Sequence, residues 1–480
     1  MSGKPSSPSS PDALLRSQDG GTAVAPDRPP CRLYTRRWLM LAIFSCCLAQ
    51  NQAPWGMYSS IYDHTMQFYA LDSSFYVLML SLVYLLVYVV GCFPGAYMTA
   101  SSDMRFALLA SQLLNTLGNI LKYLSTTSSH SYWLLFWGQL CFPLAECLLF
   151  CMPARLSSLW FGAHERASAS AVSWASCSLG IALTFLLVPR ALESMGMHRM
   201  MLVILISNIV LLAVVAIAFA PEPLSPPSDT TVFRHRSDFS MRRFAKEMAA
   251  SIWETRAMTG LIMSYGISTG IMYSVTSNLQ PTFGIVDGLL STKQLGDLGF
   301  ALVLAGMVGL LLMGPCLDWS KKFWGCHLTL ANGSFLGLLG TTLFLQFSSR
   351  VGASVALVLF GCCTTAMTTT GLEYAVELTY PLSEEVSSTS VMFSAQLFGT
   401  LAMFLSAFII RSDVAGPQMQ DAMWIFSAIN GVALLIFYYS DGICWRSVSQ
   451  SHPHLRTRIQ SAISADGDSE LQHVRHTSSM

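Results

Sequence analysis

The sequence predicts an all-α polytopic membrane protein of twelve transmembrane helices, arranged as two six-helix bundles. Three observations predict it: an apolar, charge-poor composition, twelve apolar runs of spanning length, and one long polar loop dividing them six and six. The 480 residues are 52% hydrophobic and 11% charged, against about 25% charged in a soluble domain. Polar groups therefore cannot cover the surface. A mean hydropathy of +0.49 agrees. With a formal net charge of zero, global charge gives no reason to expect a nucleic-acid partner. The 13 cysteines lie scattered in apolar stretches and show no zinc-site spacing, so no metal or cofactor is expected.

A hydrocarbon core about 30 Å thick needs roughly 20 apolar helical residues, and the chain meets that requirement in order. Residues 1–35 form a Ser/Pro-rich polar tail with no signal-peptide core, expected to be disordered and cytosolic. The N-terminal bundle occupies 36–220, with spans at 38–59, 75–99, 106–124, 132–153, 168–189 and 200–219. The stretch 221–256, rich in Pro and then in Arg, is a central cytosolic loop. The C-terminal bundle occupies 257–445, with spans at 257–282, 298–316, 325–347, 351–376, 387–410 and 422–440, before a disordered tail at 446–480. Basic residues concentrate on one side, among them Arg36, Arg37, Arg155, Arg242, Arg243, Lys322 and Arg446. The other side holds only Lys122, Arg190, Arg199, Lys293, Arg350 and Arg411, so both termini are expected in the cytosol. A charged turn after the second span of each half, "TASSDMRF" and "CLDWSKKF", echoes between the bundles. Two parallel six-helix repeats joined by a basic loop are the pattern of the major facilitator fold.

In such a fold the substrate site lies at mid-depth between the halves, so polar and aromatic residues inside spans are the candidates. Span 1 carries Gln50, Asn51, Gln52, Pro54, Trp55 and Tyr58. This is a kinked segment that faces a cavity or, on the other reading, places its aromatics in the interfacial belt. Span 4 carries Gln139 and Glu146, seven residues apart. A carboxylate in a span costs about 2.5 kcal/mol or more to insert and must face protein. It either locks helix 4 to a neighbour or binds a cation or proton. Span 7 brings Gly266, Gly270, Tyr265 and Tyr273, with Asn278 and Gln280 further along. Span 11 brings Gln396, a ligand or an interhelical clasp. Glu373 and Glu377, near the end of span 10, have a gating or structural role, and Asp318, Lys321 and Lys322 look like a gate clasp. The histidines, including His64, His130, His164 and His327, are placed in loops and tails. No Walker motif, HExxH or Ser-His-Asp pattern supports an enzyme.

The strings "RRWLMLAIFS", "GQLCFPLAECLLFCMPARLSSLWFG", "SYGISTGIMYSV", "LAGMVGLLLMGPCLDWSKK", "EYAVELTYPLSE" and "SAQLFG" resemble, in the same order and helices, the feline leukaemia virus subgroup C receptor-related transporter family. The resemblance spans roughly 36–445 and implies a facilitator of choline and ethanolamine, in a family long discussed for haem. In its choline-carrying members a Trp, a Gln, a Tyr and a Gln line the pocket. By motif these fall on Trp55, Glu146, Tyr273 and Gln396, so this chain has Glu where the family has Gln. Of the family's charged turn after helix 2, only Arg105 clearly survives, which puts the N-terminal gate in doubt. The expectation is a monomeric uniporter of a small organic cation, with haem transport and a non-transporting membrane receptor or scaffold as alternatives. The plasma membrane is favoured over an endomembrane.

Overall fold

The computed structural model describes residues 33–73, 75–127, 131–162, 165–223, 225, 256–284, 292–320, 322–379, 384–410 and 418–440. The two tails and almost all of the central loop lie outside the described residues. Every described element is helical. The long helices are α1 (Arg36–Ser60), α3 (Phe75–Ser101), α4 (Met104–Ser125), α5 (Tyr132–Leu149), α7 (Arg166–Ala218), α8 (Arg256–Ser277), α10 (Thr292–Ser320), α11 (Phe323–Gln346), α12 (Arg350–Thr379), α13 (Glu384–Ile410) and α14 (Gln418–Tyr438). Three short helices, α2 (Tyr62–Phe68), α6 (Pro153–Trp160) and α9 (Leu279–Gly284), cap or link them. Eight stretches are long and apolar enough by themselves to cross a membrane, while α1, α4 and α8 fall below that apolarity.

The predicted spans recur as helices, with informative differences. Spans 5 and 6 are two arms of α7 that meet at Gly196, whose φ of 75° breaks the helix in one residue. That left-handed conformation costs a residue with a Cβ about 1–2 kcal/mol, and Gly adopts it freely. Helix α5 stops at Leu149 rather than 153, because Pro153 has no N–H to continue the ladder and instead opens α6. Helix α8 stops at Ser277, where Asn278 turns back to donate to the Ser274 carbonyl, and α9 takes up the remainder.

Within the first bundle α1 packs on α7, α4 on α5 and α7, and α3 on α5. Within the second, α8 packs on α13 and α14, and α12 on α10 and α11. The halves meet along two seams, α7 with α10 and α3 with α13. Small residues set these approaches, because apolar burial gives no driving force between helices already in lipid. At Gly270 of α8, a Cβ would stand 2.5 Å from the Gly399 amide nitrogen of α13, so the two backbones touch directly.

Two placements differ from the sequence reading. Lys122, expected among the charges of one membrane face, is fully buried in α4, its Nζ 4.2 Å from the Phe142 ring centroid and 5.1 Å from that of Tyr58. Its aliphatic stem and Nζ are enclosed by protein, with these two ring faces beside the nitrogen. His327 is not a loop residue: it is fully buried in α11, hydrogen-bonded to Thr370 at 2.9 Å and packed on the Phe437 ring.

Candidate substrate cavity and far-end clasp

Between the halves lies a cavity of about 130 Å³. Helices α1, α3, α5 and α7 line it from the first bundle, and α8, α10, α12 and α13 from the second. All four residues singled out as pocket candidates line it: Trp55, Glu146, Tyr273 and Gln396. Trp55 and Tyr273 come from opposite halves and meet edge to face, with ring centroids 5.5 Å apart at 70°. Leu85 and Phe142 join them in one apolar cluster. Pro54 breaks the hydrogen-bond ladder of α1 beside Trp55, and two side chains bind neighbouring carbonyls of this segment. Ser81 donates to the Trp55 carbonyl at 3.2 Å and Gln139 to the Pro54 carbonyl at 3.0 Å.

Glu146 is 2% exposed, one turn before the end of α5. The neighbouring group that faces its carboxylate is the Gln52 amide. One of its oxygens, Oε2, has no hydrogen-bond partner among the described residues. No Lys, Arg or His is among the described residues that line the cavity. Gln139, seven residues earlier, does not reach the cavity; it clamps α5 to α1 and α3 by donating to the carbonyls of Pro54 and Leu80.

Behind Gln52 runs a chain of amides that the sequence showed only as isolated polar residues. Gln52 donates to Asn51 at 3.1 Å, Asn51 to Asn115 at 2.9 Å, Asn115 to Gln112 at 3.1 Å, and Gln112 to Gln50 at 3.0 Å. The chain ends on Ser207 of α7, 3.3 Å from Gln50. Each amide is both donor and acceptor, so a row of them satisfies itself where water is absent. The available signal was the matched spacing: Gln50, Asn51 and Gln52 in span 1, with Gln112, Asn115 and Asn119 in span 3.

The gating candidates divide. Arg105 donates to the Ala216 carbonyl at 2.5 Å, closing the C-terminal turn of α7 within its own bundle. Glu373 is exposed and Glu377 half-buried on the last turns of α12. The Asp318 side chain and Lys321 lie outside the described residues. At the end of the molecule opposite the start of α1, hereafter the far end, two ion pairs join the bundles. Arg190 Nη2 lies 2.6 Å from Asp297 Oδ1, and Lys293 Nζ 2.7 Å from Glu193 Oε2. Just inside them, a Cβ on Gly296 would stand 2.6 Å from the Phe185 carbonyl, so α7 and α10 are in backbone contact. Sequence reading counted Arg190 and Lys293 only as far-side charges. The reciprocal spacing, basic then acidic at 190 and 193 and at 293 and 297, was the signal for a clasp.

Residues 44–407 match the profile of the Major Facilitator Superfamily. The choline/ethanolamine transporter FLVCR1 of Felis catus is 31% identical over 86% of this chain and 75% of its own length. The choline/ethanolamine transporter flvcr2a of Danio rerio is 31% identical over 85% and 88%. Among solved structures, a bacterial homologue of the human lysosomal transporter Spinster superimposes with a TM-score of 0.62 at 12% identity, over 85% of this chain and 98% of that one. The xylose transporter XylE from E. coli gives 0.62 at 11%, over 84% and 98%. At those identities the solved structures establish the fold, whereas the sequence relatives establish descent. The chain belongs to the major facilitator superfamily and, within it, to the family related to the feline leukaemia virus subgroup C receptor.

Proposed function

We propose that this membrane transporter carries a small organic cation of the choline/ethanolamine class by alternating access, as a monomeric uniporter. The observation that supports it most is the pairing of an aromatic corner, Trp55 with Tyr273, and a buried carboxylate in a cavity whose described lining holds no Lys, Arg or His. An ammonium group offered to that corner gains cation–π attraction of about 0.5–2 kcal/mol per ring, and Glu146 supplies the counter-charge. Both curated relatives named above are called choline/ethanolamine transporters. With the basic side of the chain in the cytosol, the far end is extracellular, and its clasp holds the bundles together on that side. Breaking the clasp while the opposite mouth closes would expose the same cavity to the outside.

The cavity also bears on haem. Its volume of about 130 Å³ is below the roughly 300–1,000 Å³ of sites for drug-sized ligands and suits a solute of few atoms. Plasma-membrane residence follows from the proposed role in cellular uptake. The test is uptake of labelled choline and ethanolamine into cells expressing the wild type, Trp55→Ala and Glu146→Gln, at two pH values. Saturable uptake lost in Trp55→Ala supports the proposal. Absence of uptake by surface-expressed wild type refutes it, and binding without flux would instead favour a receptor.

A further inference from the structure

The polar atoms of the cavity are unequally satisfied, and the inequality bears on which ammonium compounds fit. This step rests on the organic-cation reading above. Two acceptors on residues that line the cavity, Glu146 Oε2 from the first bundle and Gln396 Oε1 from the second, are buried without a partner among the described residues. The nearest amide, Gln52, already spends a donor on Asn51. The described lining offers no Lys, Arg or His; its unpartnered donors are the Trp55 Nε1–H and the Thr269 hydroxyl, neither of them charged. A buried acceptor left unmet carries its full desolvation cost, so an occupant that brings N–H groups relieves it.

A quaternary ammonium brings none at nitrogen. Its methyl groups satisfy the Trp55 and Tyr273 faces but hold the carboxylate oxygen at van der Waals distance from the charge. An N–H placed at the same point makes a short, charge-assisted hydrogen bond, roughly twice as strong as a neutral one. An amide can turn to present either its oxygen or its NH₂, whereas an ionised carboxylate presents only acceptors. Glu146 therefore sets the discrimination, and Gln396 makes the second contact. We propose that this transporter selects ammonium substrates that retain at least one N–H over quaternary ones, with Glu146 Oε2 and Gln396 Oε1 as the N–H acceptors.

The N-methylation series of ethanolamine separates this from selection by size or apolarity. Ethanolamine, N-methylethanolamine and N,N-dimethylethanolamine keep three, two and one N–H when protonated, and choline keeps none. Thermal stabilisation of the purified full-length protein by each compound reads apparent affinity without requiring transport. The expected profile is shallow through the first three and falls about tenfold or more at the last methyl. In Glu146→Gln the four affinities should converge to within about threefold, mainly by weakening the first three. Choline binding as tightly as dimethylethanolamine in the wild type overturns the proposal, while leaving the organic-cation reading intact. Failure of all four to bind overturns both.

Discussion

Arg190→Glu places three carboxylates, at 190, 193 and 297, around one lysine at the far end, and its effect can be worked from the pairs it disturbs. Both ion pairs are short, 2.6 and 2.7 Å, but their side chains are 43–54% exposed. Exposed pairs contribute roughly 0.2–1 kcal/mol each. Losing the Arg190–Asp297 attraction and adding like-charge repulsion of similar size gives about 0.4–2 kcal/mol against the closed far end. That is a shift of roughly two- to thirtyfold in the ratio of closed to open. Nitroxide labels at exposed Trp133 and Phe347, one in each bundle, report the opening as a longer distance population. The exposed cysteines Cys46 and Cys316 are first replaced. The charge swap Arg190→Asp with Asp297→Arg should restore the short distance. High salt should narrow the difference between wild type and the single mutant, since exposed charges are screened within about 10 Å at 0.1 M. An unchanged distance distribution in Arg190→Glu would refute the clasp as a determinant of the state and leave backbone packing at Gly296 as its cause.

Other outcomes follow from the same geometry. Trp55→Ala should weaken amine binding about tenfold, by loss of one ring face and of the Tyr273 contact, while Trp55→Phe retains most of it; titration of thermal stability by ethanolamine checks both. Gly270→Val forces α8 from α13 where a Cβ already meets backbone at 2.5 Å, and should cost about 1–3 kcal/mol, read as a lower unfolding midpoint in detergent. Asn51→Leu removes hydrogen bonds to Asn115, the Phe142 carbonyl and Gln52. At about 0.6 kcal/mol per membrane hydrogen bond it should cost roughly 2 kcal/mol, and an unchanged midpoint would mean the amides find other partners.

The helices were legible because a membrane forces them: a chain in lipid must satisfy every backbone group locally, so apolar runs of about 20 residues declare themselves. Trp55, Glu146, Tyr273 and Gln396 were legible because polar and aromatic residues in such runs must face protein. What escaped was pairing between distant segments. Lys122 read as a surface charge because its neighbours Tyr58 and Phe142 are 64 and 20 residues away. The clasp residues lie at the ends of spans whose contact depends on which bundle faces touch. Gln139 and Glu146 share a face by spacing, yet only Glu146 reaches the cavity, because the Gln139 amide is spent on the Pro54 and Leu80 carbonyls of α1 and α3.

The amide chain has a consequence for how the protein is made. Helix α1, which precedes α4 and α5 in the chain, carries three consecutive amides and is less apolar than the stretches that can cross a membrane unaided. Its partners, Gln112, Asn115 and the Phe142 carbonyl, lie in α4 and α5, which are translated later. Until they arrive, the Gln52-to-Asn51 bond is the one these amides make within α1. Helix α1 therefore gains its remaining amide partners only when α4 and α5 stand beside it. A substitution that removes Asn115 from α4 would leave a polar group of α1 unmet in the membrane, where such groups are costly.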